Sequence, residues 1–122
     1  MRVTRVYADA AGESHFDEID IPLQDRGAIG RLSEPYPANG VIFRENDADY
    51  DFDWHCAPQR QYIVLLDGAI ELETSDGEKR RFGGGDILLV EDVTGRGHRT
   101  RTVDNRPRRS LFVTLAPAPS PG

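Results

Sequence analysis

Glycine and proline interrupt this chain every ten residues or so, and the stretches between them lack the periodicity of a helix. Twelve glycines and eight prolines separate short apolar blocks: Val3 to Tyr7, Phe16 to Ile21, Val41 to Phe43, Tyr62 to Leu66, Ile70 to Leu72, Ile87 to Val90 and Leu111 to Leu115. None sustains the three-and-four spacing of an amphipathic helix, and short blocks with turns between them read as strands. The pattern predicts an all-β sandwich or barrel. Asp67-Gly68 and Asp76-Gly77 are each expected to close a tight hairpin, because glycine accepts positive φ. Gln24 to Gly40 has little pattern and reads as a surface loop. No repeat or linker divides the chain, which predicts one domain over 1–115 and an extended, flexible proline-rich tail over 116–122.

At 122 residues the chain supports one hydrophobic core. Its net charge of −6 argues against nucleic-acid binding, which needs a basic face. No apolar run approaches the roughly 20 residues that span a bilayer, so no membrane partner is expected. Met1-Arg2-Val3-Thr4-Arg5 lacks the apolar stretch of a signal peptide. The lone cysteine, Cys56, cannot form an internal disulfide. A reducing cytoplasm is the expected location.

Two polar clusters border apolar strands. Trp54-His55-Cys56 leads through Gln61 into Tyr62 to Leu66. Gly85-Asp86 opens a second strand, and Glu91-Asp92 follows it through a glycine-rich turn to His98. Two strand-borne histidines, each beside a glycine turn, suggest one pocket. On a regular strand His55, Ala57, Gln59 and Gln61 share a face, as do His98, Thr100 and Thr102.

The chain resembles a small, single-domain member of the cupin superfamily over residues 40–115. The first cupin motif carries two histidines, a glutamate and a glycine. His55 takes the first histidine position, Ala57 the second, Gln61 the glutamate and Gly68 the glycine. The second motif runs from Gly-Asp to a histidine, here Gly85-Asp86 and His98, with Glu91-Asp92-Val93-Thr94-Gly95-Arg96-Gly97 replacing its usual proline turn. Gly12-Glu13-Ser14-His15-Phe16 and the run from Glu91-Asp92 to Gly97-His98 also resemble a largely uncharacterised subgroup of small cupins. The resemblance implies a double-stranded β-helix, or jelly roll, and a homodimer whose N-terminal strands extend a sheet edge. It also implies a divalent metal (Fe, Mn, Ni or Zn) held loosely by His55, Gln61 and His98, because Ala57 cannot ligate and Gln61 is neutral.

His55, His98, Gln61 and Asp92 are therefore the candidate catalytic residues. Histidines titrate near neutrality, and Glu91 or Asp92 near the rim could orient one or serve as a base. A small organic substrate and lyase, isomerase or cyclase chemistry fit this set. An iron-dependent dioxygenase and a non-catalytic ligand-binding module are the alternatives. Asp47, Asp49, Asp51 and Asp53 could bind a cation or form a solvated loop. Arg96, Arg99, Arg101, Arg106, Arg108 and Arg109 could hold a carboxylate or phosphate, or solubilise an outer strand face. Gly83-Gly84-Gly85 reads as a turn, Cys56 as structural, and Ser14-His15 as pointing to opposite faces.

Overall fold

A computed structural model describes residues 1–117. It contains β1 (Arg2–Ala8), β2 (Ser14–Asp20), β3 (Gln24–Asp25), β4 (Arg31–Leu32), β5 (Gly40–Asn46), β6 (Asp51–His55), β7 (Gln61–Leu65), β8 (Ala69–Thr74), β9 (Lys79–Gly83), β10 (Ile87–Val90), β11 (His98–Thr102) and β12 (Arg108–Thr114). The only helical turn among the described residues is a 3-10 turn over Gly27–Ile29. Of the expected proline-rich tail, Ala116 and Pro117 are described, and residues 118–122 lie outside the described residues.

Six strands form one sheet in the order β2-β1-β10-β7-β12-β5, and four form a second in the order β6-β11-β8-β9. The short pair β3-β4 sits in the exposed segment read as a loop. Alternation explains the layering. On β8, Ile70, Leu72 and Thr74 are buried while Glu71 and Glu73 face outward to Arg101 and Arg99 at 3.0 Å each. Ile70 and Leu72 join Val6, Leu65, Leu88 and Val90 in the main core. Truncating a residue such as Leu65 or Leu72 to alanine there costs about 2–5 kcal/mol. A second cluster, Val3, Leu89 and Leu115, is contributed by the alternate face of the larger sheet.

The two aspartate–glycine turns behave differently. Asp76-Gly77 closes a hairpin between β8 and β9, with Glu73 opposite Lys79. Asp67-Gly68 does not: β7 and β8 lie in different sheets, so this turn carries the chain across the sandwich. Gly68 has φ +72° and a Cβ there would stand 2.6 Å from Arg108 Cβ, which ties the crossing to β12. The N-terminal strands also find their partners within the chain. β1 pairs in parallel with β10, and β2 covers β1.

Candidate functional site

The histidines meet as cross-strand neighbours. His98 opens β11 directly opposite His55, the last residue of β6, and the β6 register shifts immediately afterwards, between His98 and Thr100. Such a bulge re-aims side chains locally. The two rings stand 4.5 Å apart between centroids, and the edge of Phe52 packs against His55 at 4.1 Å.

The hydrogen bonds fix which nitrogen each ring offers. His55 Nδ1 lies 2.7 Å from the Asp53 carbonyl oxygen. A carbonyl can only accept, so Nδ1 carries the proton and Nε2 keeps its lone pair. Burial holds the His55 imidazole below its ordinary pKa of 6.5; the Asp53 carbonyl partly offsets this and the neighbouring His98 reinforces it. His55 is therefore a free base at neutral pH. His98 Nδ1 donates to Asp92 Oδ2 at 2.6 Å, and Asp92 is fully buried. A buried carboxylate orients the imidazole and stabilises it when it takes a proton. Asp92 was expected at the rim; it sits beneath His98 instead. Glu91, one residue earlier, points the other way, to Arg60 at 2.6 Å and Arg5 at 3.6 Å.

The turn between Asp92 and His98 is anchored on both sides. Ala57 N–H donates to the Asp92 carbonyl and Arg96 N–H to the Gly12 carbonyl. Ser14 Oγ donates to the Gly97 carbonyl at 2.6 Å, and Cys56 Sγ to the Gly95 carbonyl at 3.2 Å. Gly95 and Gly97 both have positive φ, and a Cβ on Gly97 would overlap the His55 carbonyl. The stretches Gly12–Phe16 and Glu91–His98, singled out in the sequence, thus dock on one another.

His55, Ala57, Gln59, Gln61 and His98 all line one cavity of about 420 Å³, within the range of small-molecule sites. They do not share one regular strand: β6 ends at His55 and β7 begins at Gln61, so a connection rather than a pleat brings them together. Leu65, Ile70, Leu72 and Val90 form apolar walls. Arg44 and Tyr50, not among the candidates, reach the same cavity, as does Arg108.

The remaining candidates lie elsewhere. Arg99 and Arg101 pair with Glu73 and Glu71 on the outer sheet face. Arg96 pairs with Glu13, and Arg109 with Asp67. Asp51 and Asp53 are exposed on β6. His15 is held between Asp9 at 2.6 Å and Asp76 at 3.0 Å, outside the cavity.

No family model matches this chain, and neither does any curated protein. Solved structures do. A DUF861 family protein from Thermotoga maritima superposes with a TM-score of 0.51 at 23% identity, covering 61% of this chain and 77% of its own. A sugar phosphate isomerase from a cupin superfamily, from Silicibacter pomeroyi, superposes with a TM-score of 0.51 at 21% identity, covering 96% of this chain and 72% of its own. The chain has the cupin fold.

Cupin-fold sites are expected to hold a metal, and the donors here fit one poorly. Both imidazole Nδ1 atoms are engaged, leaving two Nε2 atoms and the neutral Gln61 amide. No cluster of three histidine, cysteine or carboxylate side chains suited to a metal occurs among the described residues. Gln61→Glu would supply the anionic oxygen. It is expected to raise affinity for Zn or Ni over wild type by about tenfold or more in calorimetric titration. Absence of binding by both proteins would remove a metal from these three residues.

Proposed function

We propose that this cupin-fold chain is an enzyme of the lyase, isomerase or cyclase type that moves protons on a small organic molecule. The observation that carries the reading is the juxtaposition of two differently supported imidazoles in one cavity: a neutral His55 and a His98 held by buried Asp92. Groups whose surroundings separate their roles divide naturally into base and acid. His55 Nε2 is placed to accept a proton from a carbon or hydroxyl of the substrate. His98, stabilised by Asp92 when charged, returns one at a neighbouring atom, and the apolar walls limit water. The Silicibacter pomeroyi neighbour is named a sugar phosphate isomerase, a reaction of this class. An iron site at His55, Gln61 and His98 with dioxygenase chemistry is the second reading, and absence of ferrous iron binding by the wild type in anaerobic titration would remove it.

Reactions of this class make and break bonds to hydrogen, so they leave a trace in D2O. Proton NMR of a panel of 2-oxo acids, 2-hydroxy acids and sugar phosphates should show loss of a C–H signal with wild type and none with His98→Gln or His55→Gln. A panel member that binds tightly yet neither exchanges nor turns over would make the protein a binding module instead.

We further propose a homodimer in a reducing cytoplasm. No helix among the described residues is long and apolar enough to cross a membrane. Edge strand β5 exposes Val41, Ile42 and Phe43, an apolar edge of the kind that invites pairing. Light scattering should give twice the chain mass of 13.6 kDa; a monomer at micromolar concentration would contradict this.

A further inference from the structure

The larger sheet presents its own polar groups to the cavity, facing the histidines of the smaller one. Arg44 on β5 stands directly opposite Ser110 on β12, and Arg108 lies two residues along the same strand. All three line the cavity. Cross-strand and diagonal neighbours on one face lie close enough for both guanidinium groups to reach a single ligand.

These arginines differ from most of the chain's. Arg2, Arg5, Arg60, Arg80, Arg81, Arg96, Arg99, Arg101 and Arg109 each have a carboxylate partner within 4.0 Å. Arg26, Arg31 and Arg106 have none but are exposed. Arg44 and Arg108 also have none among the described residues, yet both line the cavity, and Arg108 is only 6% exposed. Its Nε is buried without a hydrogen-bond partner, and so is the hydroxyl of Ser110, 2% exposed. Arg108 Nη1 reaches Thr102 Oγ1 at a long 3.4 Å, and the guanidinium lies 4.6 Å from the centre of the Tyr50 ring. Arg44 donates to the Tyr50 hydroxyl at 3.2 Å. Burial pushes Arg108 below its ordinary pKa; Tyr50 counters this and Arg44 adds to it. Guanidinium cannot discard its proton at physiological pH, so two unpaired cations sharing one cavity call for a bound negative charge.

We propose that Arg44 and Arg108, with the Ser110 hydroxyl, form an oxyanion-binding subsite, so that the ligand is a small organic acid bearing a carboxylate or a phosphate monoester. That this ligand is also the substrate rests on the proton-transfer reading above. The arginines anchor the acid group on one sheet, and the atoms that react face His55 and His98 on the other. A planar guanidinium fork suits either oxyanion.

Calorimetry of the full chain with inorganic phosphate, malonate and malonamide tests this. Wild type is expected to bind phosphate or malonate, more weakly at high salt, and not the uncharged malonamide. The tighter of the two anions identifies the acid group. Arg44→Met and Arg108→Met should each weaken that binding by about tenfold or more. In thermal unfolding, the anion should raise the midpoint of wild type and not of Arg108→Met. If Arg108→Met does not fold, Arg44→Met, at a half-exposed position, carries the comparison. Equal binding of malonamide, no binding of either anion by wild type, or unchanged affinity in the arginine variants would overturn the subsite. His98→Gln separates this from the catalytic reading: it should bind the anion as wild type does. Arginine-dependent anion binding with no exchange in D2O would leave the subsite standing and remove the proton-transfer chemistry.

Discussion

Gly97→Ala should destabilise the protein by about 3 kcal/mol or more, and lower its thermal midpoint by roughly 10 °C or more. Two effects add. Gly97 has φ +75°, which an L side chain adopts only under strain, and its Cβ would overlap backbone atoms of His55 and Cys56. Neither neighbour can yield, because His55 is paired to His98 on β11 and Ala57 is bonded to Asp92. Gly77→Ala is the control. Its φ is +92° but nothing lies within 4 Å of the added Cβ, so it carries backbone strain alone, about 1 kcal/mol. Urea unfolding of both variants separates collision from dihedral strain. Equal, small losses would mean that the turn is not pressed against His55.

The second large effect is on turnover. Asp92→Asn keeps the size of the side chain and its ability to accept from His98 Nδ1, but removes the charge that supports a protonated imidazole. Exchange of the substrate C–H in D2O should fall by about 10²–10⁴-fold, while malonate affinity and folding stability stay near wild type. Asp92 acts through His98 and is a positioning residue, so loss of rate without loss of binding is its signature. Asp92→Ala should be worse for stability, by about 1–3 kcal/mol, because it leaves the His98 N–H buried and unsatisfied. If Asp92→Asn exchanges at the wild-type rate, Asp92 does not support catalysis.

The sandwich and the histidine pair were legible because both depend on local pattern. Short apolar blocks bounded by glycine read as strands, and His55 and His98 stand at strand ends beside glycine turns. The partition of Glu91 and Asp92 was not legible: adjacent acids look alike in a string, and the turn after β10, held by Glu91 N–H on the Val6 carbonyl and by the Asp92 carbonyl on Ala57 N–H, sends one to Arg60 and the other beneath His98. Asp67-Gly68 read as a hairpin because turn chemistry is local, while the choice of sheet for the next strand is set by packing of the whole sandwich. Arg44 was hidden by an inverted strand. On β5 the apolar Val41 and Phe43 face solvent, at 53% and 82% exposure, and Arg44 faces the cavity, so parity read as hydrophobic-in gives the wrong face. Arg108 was hidden among arginines that do solubilise the outer face, and it is alternation along β12, with Arg108 and Ser110 buried and Arg109 exposed between them, that turns it inward.

His55 and His98 face one another as a free base and a carboxylate-supported partner. Nitrogen-15 NMR of the imidazoles, followed through a pH titration, tests it without a known substrate. NOEs are expected between the two rings, with His55 carrying its proton on Nδ1 and Nε2 bare. Its titration should fall below the ordinary 6.5. Because that pKa is depressed by folding, the unfolded chain binds the extra proton first. Stability should therefore decline as the pH drops from about 6.5 to the folded value and level off below it. A His55 that titrates at or above the ordinary value, or no contact between the rings, would rule out the free-base pairing of His55 with His98.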